Sequence, residues 1–133
     1  MRKTFVLAAL AAVLLCGGAN AQQINVKIGV LTDMSSLYKD ATGPGSVMAA
    51  KMAAEDFMKT HPNFKVEIVS ADHQNKPDVA TGIASKWFDV DHVDMITDVP
   101  TSSVALAITQ VAAQKNKVFM ASGPAASDLT GAK

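Results

Sequence analysis

The chain has little cysteine, few aromatic residues and no excess of charge. Its 133 residues include one cysteine, Cys16, and 12 basic against 12 acidic side chains, so the formal net charge is zero. One cysteine excludes an intramolecular disulfide, and packing alone must stabilise the fold. The absence of a basic patch argues against nucleic acid or an anionic membrane surface as a partner.

No apolar run reaches the roughly 20 residues that span a bilayer, but a shorter run lies near the N-terminus. Two basic residues precede the apolar segment 5–15, and Ala19-Asn20-Ala21 offers small side chains for cleavage. We therefore expect residues 1–21 to be a cleaved signal peptide. Residues 22–133 would then form a mature periplasmic chain without membrane insertion. A single-pass anchor is the alternative, for which the apolar run is short.

Behind the leader, β-rich segments alternate with amphipathic ones. We predict strands at residues 24–31, 64–71, 93–99 and 117–122 and helices at residues 46–59, 78–88 and 101–116. This alternation predicts an α/β fold with a Rossmann-like parallel sheet, right-handed crossovers and helices on both faces. Helical spacing predicts the buried side chains of the second and third helices as Val79, Ile83, Trp87, Val104, Ile108 and Val111.

The ends of the predicted strands are the first place to look for a binding site, because ligands of open parallel sheets bind at the carboxyl edge. Three hydroxyl residues, Thr101, Ser102 and Ser103, follow the third strand where the next helix begins. The unpaired N–H groups and positive dipole end of a helix N-terminus suit a carboxylate or other anion. Helix capping is the simpler alternative, and it explains one of the three hydroxyls.

Three aspartates, Asp33, Asp72 and Asp98, follow the first three strands. Together they could hold Mg²⁺ for an exported phosphoryl-transfer enzyme, or each could cap the turn that follows its strand. The capping interpretation is favoured, because export would remove the chain from the nucleotide-rich cytoplasm and aspartate is common at strand ends as a turn cap. The chain also shows neither a nucleophile elbow nor a phosphate loop. We therefore predict no enzyme, no catalytic residue, no metal and no cofactor.

The three histidines, His61, His73 and His92, have no spacing that fits a zinc site. Each lies next to a predicted loop. We expect all three at the surface.

Several motifs together resemble the type I periplasmic solute-binding proteins of ABC importers, in particular the branched-chain amino acid group. They are Lys27-Ile28-Gly29-Val30-Leu31-Thr32-Asp33-Met34-Ser35, Gly43-Pro44-Gly45 with Ala53-Ala54-Glu55-Asp56-Phe57, Pro100-Thr101-Ser102-Ser103-Val104-Ala105, and Ser122-Gly123-Pro124-Ala125-Ala126-Ser127-Asp128-Leu129-Thr130-Gly131. The resemblance covers nearly all of the mature chain. It implies two α/β lobes that close on a ligand, of which residues 22–133 would be the first part of the N-terminal lobe.

The resemblance also implies roles for individual residues. The Thr101–Ser103 loop would hold the ligand carboxylate, and Gly123, Ala125 and Ser127 would add contacts. Tyr38 would form a wall of the pocket. The implied partners are a small carboxylate and a membrane permease.

This chain departs from the resembled family in two ways that affect which family features can be expected here. Ala125 stands near a position where some members have an alcohol, and Pro124 lacks an N–H, so an aromatic or aliphatic acid is an alternative to an amino acid as ligand. Some members have a disulfide between the second and third strand-end loops, near the positions of His73 and Pro100, which this chain lacks. A ligand-sensing receptor domain remains a further alternative, because sensors use the same fold.

Overall fold

The computed structural model describes residues 22–131. The predicted leader lies outside the described residues. The chain forms strand β1 (Ile24–Thr32), helix α1 (Gly43–Thr60), β2 (Phe64–Asp72), α2 (Pro77–Asp89), β3 (Met95–Asp98), α3 (Ser102–Gln114), β4 (Val118–Ala121) and a short 3-10 turn (Ser127–Leu129). No helix in this part of the chain is long and apolar enough to cross a membrane.

The four strands form one parallel sheet in the order β2-β1-β3-β4. β1 pairs with β2 over its whole length, from Ile24 opposite Phe64 to Thr32 opposite Asp72, and with β3 from Ile28 opposite Met95. The chain adds β2 on one side of β1 and then β3 on the other. The direction of strand addition therefore switches between β1 and β3, and this point of an α/β sheet leaves a crevice at the carboxyl edge.

Helices cover both faces of the sheet, as predicted, but unequally. α2 and α3 pack on one face around a closed core that contains Leu31, Ile96, Val104 and Ile108, all with no exposed surface. α1 lies on the other face over β1 and β2, and its apolar side chains Met48 and Met52 remain well exposed. The sheet with the α2 and α3 layer is thus the stable body that carries the strand-end loops.

The inward side of α2 differs from the prediction. Trp87 is buried as expected, but Ala80 and Ala84 are fully buried, whereas Val79 and Ile83 are only half-buried. The reason is the close approach of the helix to β1. A Cβ added to Gly29 would lie 2.4 Å from the Trp87 ring, so the indole fills the space that a side chain at Gly29 would take.

The predicted strand boundaries are too generous at β3 and β4. β3 contains four residues, Met95–Asp98, rather than the seven predicted. At its start the Val93 N–H donates to the Trp87 carbonyl of α2, and after its end Val99 has a positive φ angle of 57°. The chain therefore turns away from the sheet immediately after Asp98, where the candidate site begins.

Candidate functional site

The carboxyl edge of the sheet brings together the loops that follow β1, β2, β3 and β4. Two of them follow the strands at the switch point: the loop from Asp33 to Thr42 leads to α1 on one face, and Val99-Pro100-Thr101 leads to α3 on the other. The predicted hydroxyls lie at the start of α3. The candidate site therefore occupies the position at which open parallel sheets bind their ligands.

The first turn of α3 is uncapped. Thr101 occupies the N-cap position with extended backbone (φ −90°, ψ 125°), yet its side chain makes no capping hydrogen bond, and the first turn contains no acidic residue. Helix capping therefore does not explain the Thr101 hydroxyl. The positive end of the helix dipole is left without a counter-charge from its own first turn, which favours an anion from outside.

Two hydrogen bonds tie this helix start to its neighbouring loops. The Thr101 hydroxyl donates to Asn75 Oδ1 at 2.7 Å, across to the loop after β2. The Ala125 N–H donates to Ser102 Oγ at 3.2 Å, from the loop after β4. These bonds join three strand-end loops into one surface. The Thr101–Asn75 bond links the two loops for which the resemblance gave a disulfide in other members.

Gly123 lies close to the same surface. A Cβ added there would lie 3.2 Å from Pro100 Cα, and Gly123 itself is exposed. The missing side chain lets the loop after β4 approach the start of α3. The structure therefore brings Gly123 and Ala125 next to Thr101 and Ser102.

The other predicted site residues have different surroundings. Ser103 is exposed on the first turn of α3, and Tyr38 is half-buried in the loop after β1. Tyr38 forms hydrogen bonds within its own loop: its N–H donates to Asp33 Oδ2, and its carbonyl accepts from Thr42. Ser127 starts the 3-10 turn and accepts bonds from Thr130. No hydrogen bond among the described residues joins Tyr38 or Ser127 to the start of α3.

The aspartates after β1 and β2 stabilise loops. Asp33 is fully buried and accepts hydrogen bonds from the N–H groups of Ser35, Ser36 and Tyr38 and from the Ser36 hydroxyl. Asp72 accepts from the N–H groups of Met34 and Gln74. Both oxygens of Asp33 and Oδ1 of Asp72 are therefore engaged within the protein, as the turn-capping interpretation predicted. No group of three acidic, histidine or cysteine side chains in residues 22–131 is arranged to hold a metal ion.

These bonds shift the acidity of both carboxyl groups. Burial alone would raise the pKa of Asp33, but the bonds from the Ser36 hydroxyl and from the loop N–H groups hold this pKa below its usual 3.8. Burial and the nearby Asp33 raise the pKa of Asp72 as well, yet hydrogen bonds from Ser35, Met34 and Gln74 lower it overall. Both groups are therefore ionised at neutral pH, and their charge helps to hold the loops.

The prediction that all three histidines lie at the surface is wrong for His73. His73 has no exposed surface, and its N–H donates to the Thr32 carbonyl at 2.9 Å. It directly follows β2, an edge strand of the sheet. Burial lowers the pKa of His73 below 6.5, against the opposing effect of Asp33, Asp72 and Asp98. His61 and His92 are exposed, as predicted.

Asp98 marks the most constrained part of the edge. Its Oδ1 accepts a hydrogen bond from the Ser122 hydroxyl at 3.1 Å, and its Oδ2 is buried without a hydrogen-bond partner among the described residues. Asp98 and Val99 both have positive φ. This conformation costs of order 1–3 kcal/mol per residue, and it is especially unusual for a β-branched residue such as Val99. The buried Val99 side chain and the bond from its N–H to the Leu31 carbonyl hold this turn in place.

A second concave region lies away from the strand ends. It is an apolar groove of about 490 Å³ between α1 and the sheet, bordered by side chains such as Ile28, Phe57, Val66 and Met95. Its walls are almost entirely apolar and offer no group that would recognise a carboxylate. The groove is therefore a site for apolar packing rather than for a polar ligand.

Two residues of the site, Asn75 and His73, were not predicted as site residues from the sequence. Asn75 has the left-handed conformation (φ 58°) that asparagine tolerates well. Its position after a strand end was the available signal. The burial of His73 had no comparable signal in the sequence, since it depends on how the neighbouring loops fold over the edge.

The topology and the strand-end loops define an open, doubly wound α/β lobe with a candidate small-molecule site at its carboxyl edge. The chain belongs to the periplasmic binding protein family, whose model matches residues 25–133. The resemblance to periplasmic solute-binding proteins, inferred from the sequence motifs, is thereby confirmed, and so is the predicted fold class.

Solved structures agree with this assignment. A branched chain amino acid ABC transporter periplasmic ligand-binding protein from Burkholderia xenovorans LB400 is 47% identical, with a TM-score of 0.75. A periplasmic binding protein from Burkholderia mallei is 45% identical, with a TM-score of 0.74. Each comparison covers 80% of this chain and 28% of the other. The chain thus spans less than a third of the length of these relatives.

A more distant structure shares the fold alone. It is an ABC transporter solute-binding protein from Rhodopseudomonas palustris BisB5 in complex with 3,4-dihydroxybenzoic acid, 22% identical with a TM-score of 0.61, and the comparison covers 80% of this chain and 29% of that one. No match was found among curated protein sequences.

Proposed function

We propose that this chain is part of the extracytoplasmic substrate-binding component of an ABC importer, which takes up a small carboxylate and delivers it to a membrane permease. The observation that carries the proposal is the uncapped start of α3, where Ser102 and Ser103 present hydroxyls beside free helix N–H donors at the topological switch point. Membership of the periplasmic binding protein family supports the same function. The predicted leader agrees with a periplasmic location.

The carboxylate of the ligand would bind at the first turn of α3. Backbone N–H groups and a serine hydroxyl are the donors that carboxylates accept most readily, and the helix dipole adds a favourable field. The loop from Gly123 to Ala125 would form the adjoining wall, and Tyr38 the wall on the β1 side. The rest of the ligand would extend away from the edge, toward whatever closes the cleft.

Two ligand classes fit this arrangement. The Burkholderia xenovorans relative is named for branched-chain amino acids, whereas the Rhodopseudomonas palustris structure holds an aromatic acid without an amino group. The relative at 47% identity favours an amino acid, and Ala125 and Pro124 leave the loop after β4 with few polar groups to select one. A small carboxylate is therefore the common element of the proposal.

The test uses the mature protein as its natural reading frame encodes it. Leucine, phenylalanine and 3,4-dihydroxybenzoate are each titrated by calorimetry, and thermal unfolding is followed in parallel. At least one carboxylate should bind and raise the melting temperature, because a ligand that binds only the folded state stabilises it. Leucinamide, which lacks the carboxylate, serves as the control and should bind at least about tenfold more weakly. Binding of leucinamide as tight as that of leucine would contradict the proposal, as would no response to any carboxylate.

A further inference from the structure

The two hydroxyls at the start of α3 have different hydrogen-bonding capacities left for a ligand. The Thr101 hydroxyl already donates its single proton to Asn75 Oδ1, so only its lone pairs remain. Ser102 Oγ accepts from the Ala125 N–H and keeps its proton. Ser102 can therefore donate to a carboxylate, whereas Thr101 can only accept from a donor on the ligand.

A buried histidine holds Asn75 in place. The Asn75 N–H donates to His73 Nδ1 at 2.9 Å, so His73 Nδ1 carries no proton and the neutral ring has its proton on Nε2. The His73 ring is fully buried, and Nε2 has no hydrogen-bond partner among the described residues. A chain of contacts thus runs from His73 through the backbone and side chain of Asn75 to the Thr101 hydroxyl.

We propose that His73 and Asn75 are positioning residues of the ligand site: they hold the Thr101 hydroxyl as an acceptor, and so favour a carboxylate that carries an N–H or O–H donor beside it. This inference rests on the proposed function, since it specifies the ligand of the same site. Neither residue touches the ligand. Their effect passes through the orientation of one hydroxyl.

The charges around His73 make the arrangement sensitive to pH. Asp33 from the loop after β1, Asp72 from β2 and Asp98 from β3 all act on the ring, and α3 has no charged residue in Ser102–Gln114. Lys76, before α2, contacts His73 only through its backbone N–H. A proton on Nδ1 would remove the acceptor for the Asn75 N–H. Acid should therefore release Asn75 and, with it, the Thr101 hydroxyl.

The experiment measures a ratio of affinities in the mature full-length protein. Leucine is compared with 4-methylpentanoate, which has the same carbon skeleton without the amino group, and phenylalanine with 3-phenylpropanoate. In the unchanged protein we expect the amino acid of at least one pair to bind at least about tenfold more tightly. The ratio isolates the amino group, because both members of a pair carry the same carboxylate.

Two substitutions at Asn75 separate positioning from general structure. Asn75→Gly tolerates the left-handed backbone but removes the acceptor, which frees the Thr101 proton for a carboxylate, so the ratio should fall at least about fivefold. Asn75→Asp keeps an acceptor for the Thr101 hydroxyl, so it should not lower the ratio. Thermal unfolding checks that both variants fold. If Asn75→Gly does not fold, Thr101→Val removes the same acceptor and should also lower the ratio.

The pH profile supplies a further readout. In the unchanged protein the ratio should stay constant down to about pH 6.5 and decline only below it, because burial holds the pKa of His73 below 6.5. In His73→Asn, whose amide oxygen can replace Nδ1 as acceptor without titrating, it should stay constant. A ratio that Asn75→Gly and Thr101→Val leave unchanged would overturn the inference and leave the proposed function standing, and so would an Asn75→Asp variant that behaves like Asn75→Gly. If none of these four carboxylates binds the unchanged protein but 3,4-dihydroxybenzoate does, the inference fails and the proposed function stands; if no carboxylate binds at all, both fail.

Discussion

The two halves of the carboxyl edge use similar polar residues in opposite ways. In the half after β1 and β2, Asp33 accepts hydrogen bonds from its own loop and Asp72 accepts from both loops, so these carboxylates are engaged within the protein. In the half after β3 and β4, Ser102 retains a hydroxyl proton and the first turn of α3 stays uncapped. The first half stabilises the edge, and the second half is free to bind. Substitutions should therefore affect stability in one half and affinity in the other.

The largest expected effect is on stability, from Asp33→Ala. This change removes the acceptor of four hydrogen bonds in the loop after β1. We expect the free energy of unfolding to fall by about 3–5 kcal/mol, since four hydrogen bonds to one buried, charged acceptor are lost at once. Urea denaturation measures the loss. Asp40→Ala, which removes an exposed carboxylate of the same loop, should change stability by less than about 0.5 kcal/mol. Similar losses for both variants would contradict the role assigned to Asp33.

The second effect is on affinity, from Ser102→Ala. Loss of a hydroxyl that donates to a carboxylate should weaken binding by about 10- to 100-fold, while stability changes by less than about 1 kcal/mol. Calorimetric titration with the tightest-binding carboxylate measures the first quantity and urea denaturation the second. Thr109→Ala is the matched control, because the Thr109 hydroxyl lies on the same helix and bonds only to the Ala105 carbonyl. The account requires that the control bind normally.

The third effect is a difference in pH dependence between buried groups of the edge. Unfolded His73 takes up a proton at its ordinary pKa of 6.5, whereas folded His73 does so only at lower pH. The unfolded state then binds more protons, so stability should decline as the pH falls below about 6.5. Asp33 and Asp72 have lowered pKa values, so their contribution is complete above 3.8 and is lost below it.

Urea denaturation across this pH range tests both windows. His73→Asn should remove the decline that begins near pH 6.5 and leave the acid-range decline, while Asp33→Asn should reduce only the acid-range decline. Equal slopes near pH 6 in the unchanged protein and in His73→Asn would show that His73 is not the group responsible.

The smallest effect concerns the contact between the loops after β3 and β4. Gly123→Ala would place a Cβ 3.2 Å from Pro100 Cα, so the loops must separate by a few tenths of an ångström. We expect affinity to fall about two- to fivefold, with a stability loss of about 1 kcal/mol or less. Gly45→Ala is the control, since its Cβ would meet no atom within 4 Å, and it should be neutral or slightly stabilising. A normal affinity of Gly123→Ala would show that this approach does not shape the site.

Much of the fold followed from sequence pattern, because apolar runs, helix spacing and turn residues report local structure directly. The order of elements, the parallel sheet and the place of Thr101–Ser103 were all predicted correctly. The inward face of α2 was not, since the approach of Trp87 to Gly29 depends on a residue some 60 positions away in the chain. The short β3 was missed because Val93 bonds back to Trp87 of α2 and Val99 turns with a positive φ, and neither feature follows from the local sequence pattern.

The sequence predicted which loop carries the site, but it did not predict which hydroxyl group can donate a hydrogen bond to a ligand. Thr101 and Ser102 are adjacent hydroxyl residues, and their sequence gives no reason to treat them differently. Their hydrogen-bond partners distinguish them: the Thr101 hydroxyl donates to Asn75, and the Ser102 hydroxyl accepts from Ala125. Asn75 and His73 lie at the site because of the conformation of the loop after β2. No periodic sequence pattern encodes that conformation.

The most direct test of the binding half is an experimental structure of the mature protein with its tightest-binding carboxylate. We expect carboxylate oxygens within about 3 Å of Ser102 Oγ and of N–H groups in the first turn of α3. A ligand whose carboxylate faces away from α3, or one bound in the apolar groove between α1 and the sheet, would contradict the account.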